Sequence, residues 1–213
     1  MAFTPAIVPN FISAELKKAC LKVAGHEETC FLEIQHSDKY IINKCAYNAM
    51  VEADAVGGRV VFGWAISIWE NVAFDFIGHA VVELNDKYYC VTPTIRDDKR
   101  VLFLKDDSIT FDYGNPNCRL PSCEVAISKR PEVEKFLKLR ARIREIKLKY
   151  PVSSGLISVS VEDGQEISAL ERQEIELLDR INYALHPVKA QCPCGSGKQF
   201  RKCCRPHMKK AFS

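Results

Sequence analysis

The alternation of apolar and polar positions divides the chain into three stretches. In the first, Leu16, Cys20 and Val23 share one face over residues 14–24, which predicts a short helix capped by Ser13. Weak alternation from Thr29 to His36 predicts a strand. The segment from Cys45 to Asp54 reads as a helix, with Asn43 as its cap and the pair Gly57-Gly58 as its stop. From Arg59 to Trp69 the period becomes two, and Val60, Phe62, Trp64, Ile66 and Ile68 face one way. That is a strand. Glu70-Asn71 makes a turn into a second strand, Val72 to Leu84, and Asn85-Asp86 turns into a third, Tyr88 to Val91. Val101 to Leu104 is a candidate fourth.

The period changes again from Pro131, which suits a first helical turn. Phe136, Leu139, Ile143, Ile146 and Tyr150 recur every three or four residues, with Arg140, Arg142, Arg144 and Lys147 on the other faces. This long amphipathic helix ends at Tyr150-Pro151. Residues 152–165 are polar and read as a loop. Ser168-Ala-Leu-Glu171 is a capping box for a last helix, stopped by His186-Pro187. Together these patterns predict an α+β body over 1–128, a helical extension over 129–188 and a small module over 189–213.

Length and composition narrow the class. The chain has 213 residues, 47% hydrophobic and 27% charged, which excludes wholesale disorder. No apolar run is long enough for a transmembrane helix. The segment Met1 to Ala6 lacks the basic and apolar regions of a signal peptide, so the expected location is the cytoplasm.

Charge is unevenly placed. Residues 1–128 carry 12 Lys/Arg against 17 Asp/Glu, whereas residues 189–213 carry 7 Lys/Arg and no acid. A purely basic tail on an acidic body is either a solvated end or a contact for an acidic partner. Nucleic acid is the weaker candidate, because Phe200 is the one aromatic near the basic cluster and offers no stacking platform. Basic residues on the helix after Pro131 are interrupted by Glu132, Glu134 and Glu145, the pattern of a solvated face.

The ten cysteines divide by position. Cys20, Cys30, Cys45, Cys90, Cys118 and Cys123 are scattered, and Cys192, Cys194, Cys203 and Cys204 crowd the tail. Four soft ligands in so short a segment suit tetrahedral Zn2+, with Zn–S distances of about 2.3 Å. Gly195 and Gly197 permit the backbone to fold back. Lys198, Arg201, Lys202 and Arg205 offset the formal charge of a tetrathiolate zinc centre. His207 is an alternative fourth ligand. Gly-Ser-Gly-Lys198 is not a phosphate loop, since Cys192 occupies the first glycine position and Gln199 follows the lysine.

Residues 191–205 resemble the SEC-C motif, a short zinc module found at the C-terminus of the bacterial translocase motor and on unrelated proteins. The Cys192-Pro-Cys-Gly-Ser-Gly-Lys198 core, the aromatic Phe200 and the final pair Cys203-Cys204 carry the likeness. The resemblance implies four zinc ligands, Cys192, Cys194, Cys203 and Cys204, and a zinc-dependent contact with a protein partner or the ribosome.

The body holds a candidate catalytic pair. Cys45 stands at a predicted helix start, where the partial positive charge lowers a thiol pKa. His79 follows on the sheet and could act as its base. Residues 43–95 resemble the papain/transglutaminase-like superfamily through Cys45-x-x-Asn48, Gly63-Trp64 and the run from His79 to Thr94. Thr92 and Cys90 stand where that pattern has an acid, leaving Asp75, Asp97 or Asp98 to supply one, and Asn43 or Asn48 would line an oxyanion hole. His26, His36 and His186 read as surface or capping residues. The expected function is a thiol hydrolase or acyl transferase acting on a peptide or amide through Cys45 and His79, recruited by the zinc tail. The alternative is a non-enzymatic zinc-binding adaptor.

Overall fold

A computed structural model describes residues 6–115, 117–153 and 156–212. The N-terminal residues on which the signal-peptide reading rests, and Ser154-Gly155 of the expected loop, lie outside the described residues. The chain forms two compact units. One comprises Ile7–Ile68 and Phe74–Val125; the other comprises Ala6, Trp69–Ala73 and the chain from Ala126 onward.

The first unit is helix and antiparallel sheet. Helix α1, Ala14–Ala24, begins where the Ser13 hydroxyl accepts from the Leu16 amide and ends at Gly25 in the left-handed region. Strand β1 is Thr29–Glu33, shorter than the alternation to His36 predicted. Helix α2 spans Cys45–Val56. Asn43 does not cap it: its backbone is left-handed (φ 64°), and Lys44 occupies the cap position without a side-chain bond. Strands β2 (Arg59–Trp69), β3 (Ala73–Leu84), β4 (Lys87–Tyr89), β5 (Arg100–Lys105) and β6 (Ser122–Ala126) complete the unit's sheet. Strand β6 carries too weak an alternation to be read from the sequence.

The strand order is β1-β5-β2-β3-β4, with β6 also on β3. Asn85 and Asp86 both adopt positive φ in the β3–β4 turn, as a tight hairpin between twisted strands requires. Beyond β4, Cys90 forms a parallel bridge with Ile34, through Gln35 N–H to Cys90 O (2.8 Å) and Cys90 N–H to Glu33 O (3.1 Å). The sheet thereby nearly closes into a barrel. Gly63 is needed where β2 meets β5, since a Cβ there would stand 2.2 Å from the Leu104 carbonyl oxygen.

Period-two alternation sorts the side chains onto two faces. Leu32, Ile34, Val61, Val81, Cys90, Val101 and Phe103 pack together on one. On the other, Ala80, Val82, Val60 and Phe62 meet Ala46, Ala49 and Ala53 of α2. Small alanines let the helix lie close to the sheet.

The second unit is built on helices α3 (Pro131–Leu148) and α4 (Val161–Leu185). Val133 and Phe136 of α3 pack with Leu177, Leu178 and Ile181 of α4, and with Trp69, Val72 and Ala73. Ion pairs Arg142–Glu166 (2.8 Å) and Lys147–Glu171 (3.2 Å) run alongside. Helix α4 starts seven residues before the predicted capping box. The Ser160 hydroxyl accepts from the Asp163 amide and caps it, so Ser168 lies inside the helix. The segment between the helices carries an antiparallel strand pair, β7 (Val152–Ser153) with β8 (Leu156–Ile157), where a plain loop was expected. After α4 come a 3-10 turn, Phe200–Lys202, and helix α5, Arg205–Phe212. Among the described residues, no helix is long and apolar enough to cross a membrane.

Candidate metal centre

The tail folds through local geometry. Gln191 and Gln199 form an antiparallel bridge, and the Cys192 amide donates to Lys198 O at 2.7 Å, making a small hairpin. Gly195 (φ 78°) and Gly197 (φ 72°) turn the strand, a conformation side chains with a Cβ rarely adopt. The Phe200 turn then brings Cys203 and Cys204 back toward Cys192 and Cys194.

The four sulfur atoms all lie within 4.8 Å of one another. Cys194 to Cys203 is 3.6 Å and Cys203 to Cys204 is 3.9 Å. A tetrahedron with metal–sulfur bonds of about 2.3 Å has edges of about 3.8 Å. The donor set therefore fits a single tetrahedral metal ion. His207, the alternative ligand, is not part of this group.

The surroundings act on these sulfurs in opposite directions. The hydroxyl and amide of Ser196, and then the Cys192 and Cys203 thiols, hold the Cys194 thiol down to about 6. Burial pushes Cys192 up, opposed by the amides of Cys194 and Cys204. Cys204 is pushed up by burial and by its sulfur neighbours. These last two thiols lose their protons only to something that compensates the charge, which is what a metal cation does.

Contacts that the sequence does not show tie this centre to α4. Phe200 is fully buried, with the His186 ring edge-on at 5.1 Å. The Arg205 guanidinium donates to Tyr183 O at 2.7 Å and lies over the Tyr183 ring at 4.7 Å. His186, at the end of α4, contacts Gln191 O at 2.8 Å, in keeping with a capping residue. Arg205 sits beside a ligand in sequence, but its partner is 22 residues away and leaves no local signal.

The proposed catalytic residues sit differently. Cys45 is in the first turn of α2, packed on the sheet face that carries Ala80 and Val82, with the Ala80 amide directed at its sulfur. Burial raises its pKa, against the lowering expected from a helix start. His79 lies 3.2 Å from Cys90 Sγ. Cys90 belongs to the opposite face, with Val81. Burial holds His79 down to about 4 and pushes Cys90 up to about 12, although part of the His79 residue remains open to solvent. Asn48 is engaged by the Ile41 backbone and Thr92. Asp97 pairs with Lys99, and Asp98 with Thr94 and Arg96. His26 contacts Lys105 O, and His36 pairs with Asp97 at the surface.

Residues 189–206 match the family described as SEC-C motif. The match covers the four cysteines and Phe200 and leaves the preceding body unassigned. No curated protein and no solved structure matches the chain. The tail is thus a SEC-C motif with a four-cysteine cluster able to hold a metal ion.

Proposed function

We propose that this chain binds one structural zinc ion in its tail and uses the folded module to dock on an acidic partner, a protein or the ribosome. The observation that carries the zinc assignment is the gathering of four sulfurs within 4.8 Å inside the SEC-C match. Four thiolates select zinc over the hard cations that prefer oxygen. Such a site is closed, with no open position for activating water, so its role is structural. Lys198, Arg201, Lys202, Lys209 and Lys210 are exposed around it and no acid lies in residues 189–213, which suits an acidic surface.

A second reading, thiol hydrolysis or acyl transfer by a papain/transglutaminase-like body, has its support in Cys45 at the start of α2 beside Ala80, the neighbour of His79. It needs the imidazole to take the thiol proton. A depressed His79 and a raised Cys45 oppose that transfer. We therefore place docking first.

The test is metal analysis of protein purified without chelator. One zinc per chain is expected, with loss on Cys194→Ser. Protein that has four intact tail thiols and no zinc overturns the reading.

A further inference from the structure

Helix α2 is built inside out. Its buried face carries Ala46, Ala49 and Ala53 together with two polar residues, Asn48 and Glu52. Both polar side chains are satisfied: Asn48 by Ile41 and Thr92, Glu52 by Lys39, Tyr40 and Tyr89. On the opposite face Tyr47, Val51 and Ala55 reach solvent, with the Tyr47 ring edged on one side by Phe111 and Tyr113, each at 5.7 Å. Tyr47 is 37% and Val51 51% exposed, and Ala55 is exposed beside them. At about 100° per residue, Lys44, Tyr47, Val51, Asp54 and Ala55 fall within an arc of about 100°.

Two charges bracket this stripe, and each stands at the wrong end for an isolated helix. Lys44 precedes the N-terminus, where the macrodipole favours an anion, and no acid lies in the first turn. Asp54 lies in the last turn, where a cation is favoured, and no base is there. Neither has an ion-pair partner among the described residues, and the Lys44 ammonium lies over the Tyr47 ring at 5.9 Å.

Along the helix axis the stripe is symmetric about the level of Ala49, which itself lies on the buried face. Lys44 and Asp54 lie five residues to either side of it, Tyr47 and Val51 two residues to either side. An antiparallel copy of the same helix, crossed at that point, sets Lys44 against Asp54 of the partner subunit and Tyr47 against Val51 of the partner subunit. The reciprocal pairs form at the other end, as an isologous two-fold contact requires. Each misplaced charge then meets its opposite, and each helix end meets an end of opposite dipole.

We propose that the chain self-associates through α2, as an antiparallel two-fold dimer with Tyr47 and Val51 at its centre and the Lys44–Asp54 pairs at its rim. A helix of 12 residues is about 18 Å long, so the contact is small and the dimer dissociates on dilution.

Sedimentation equilibrium on the full chain tests this through charge reversal. Wild type is expected to show a monomer–dimer equilibrium in the micromolar range. Lys44→Asp puts two acids against two, and Asp54→Lys puts two bases against two. Each variant alone should remain monomeric at concentrations at least ten-fold higher, with unchanged circular dichroism. An equimolar mixture of the two restores both pairs and should dimerise again. Rescue by mixing cannot come from misfolding. A wild type still monomeric at about 200 μM, where a micromolar dimer would be almost fully formed, overturns the proposal and leaves the face to a different protein. A dimer indifferent to both reversals overturns it equally, by placing the contact elsewhere.

Discussion

The Nε2 atom of His79 lies 3.2 Å from Cys90 Sγ, inside the sheet face that carries Val81. The geometry follows from two features of the sheet. Strand residues alternate in direction, so His79 and Ala80 point to opposite faces. The Ile34–Cys90 bridge then draws the end of β4 inward beside β3. Cys45 packs on the Ala80 face. A histidine buried against a thiol is a neutral pair here, because burial disfavours both charged forms.

Thiol reactivity should follow this burial. In native, zinc-loaded protein at neutral pH, Cys30 is exposed and should alkylate with iodoacetamide ahead of Cys45 and Cys90. The four tail thiols should be protected until chelator is added. Mass spectrometry of quenched samples reads the order. Cys45 reacting first, and slowing on His79→Gln, would instead support thiol catalysis.

Stability should depend on His79 below neutrality. Its folded pKa of about 4 lies under the ordinary 6.5. Between these values the unfolded chain holds a proton that the native chain does not, so stability rises with pH across the window. Conversely, it falls as pH drops from 6.5 toward 4, by up to about 1.4 kcal/mol per pH unit from this group. Chemical denaturation at several pH values should show the slope, and His79→Gln should flatten it. An unchanged slope would mean that His79 protonates freely in the folded chain.

The structure was legible in the sequence wherever the signal was local. Helix α1 follows from its Ser13 cap, β2 from eleven residues of alternation, and the metal centre from ligand spacing within a single hairpin and turn. The start of α4 was not, because Ser168-x-x-Glu171 offers a complete capping box inside a helix that Ser160 had already begun. Gly164, which reads as a loop residue, is carried within that helix. The partners of His79 and Arg205 were also hidden. One depends on strand parity and closure of the sheet, the other on a turn returning to α4, and neither leaves a mark at fixed spacing.

Asn48 should matter for folding rather than chemistry. It is buried, accepts from the Ile41 amide at 3.1 Å and donates to Ile41 O at 2.8 Å and to Thr92 Oγ1 at 3.2 Å. Asn48→Ala strands those groups and should cost about 2–3 kcal/mol. The readout is the denaturation midpoint. A loss below about 0.5 kcal/mol would show that water replaces the side chain and that the loop before α2 does not depend on it.

The last expectation concerns how metal and fold support each other. A segment as short as the tail cannot bury enough apolar surface to fold unaided, and among its described residues the one fully buried large side chain is Phe200. That ring reaches α4 through His186, and Arg205 reaches it through Tyr183 O. These contacts should hold the four cysteines near their positions before the metal arrives, which would lower the ordering cost of binding. Phe200→Ala removes the anchor while leaving every ligand in place. It should weaken zinc retention at least ten-fold in competition with a chelator, and Arg205→Ala should weaken it less than Phe200→Ala does, since Arg205 is only half-buried and its partner Tyr183 O can turn to water instead. Both should retain one zinc per chain at saturating metal, because the donor set is intact. If Phe200→Ala binds zinc as tightly as the wild type, the hairpin organises its four sulfurs without α4, and the contact between them serves only to orient the module.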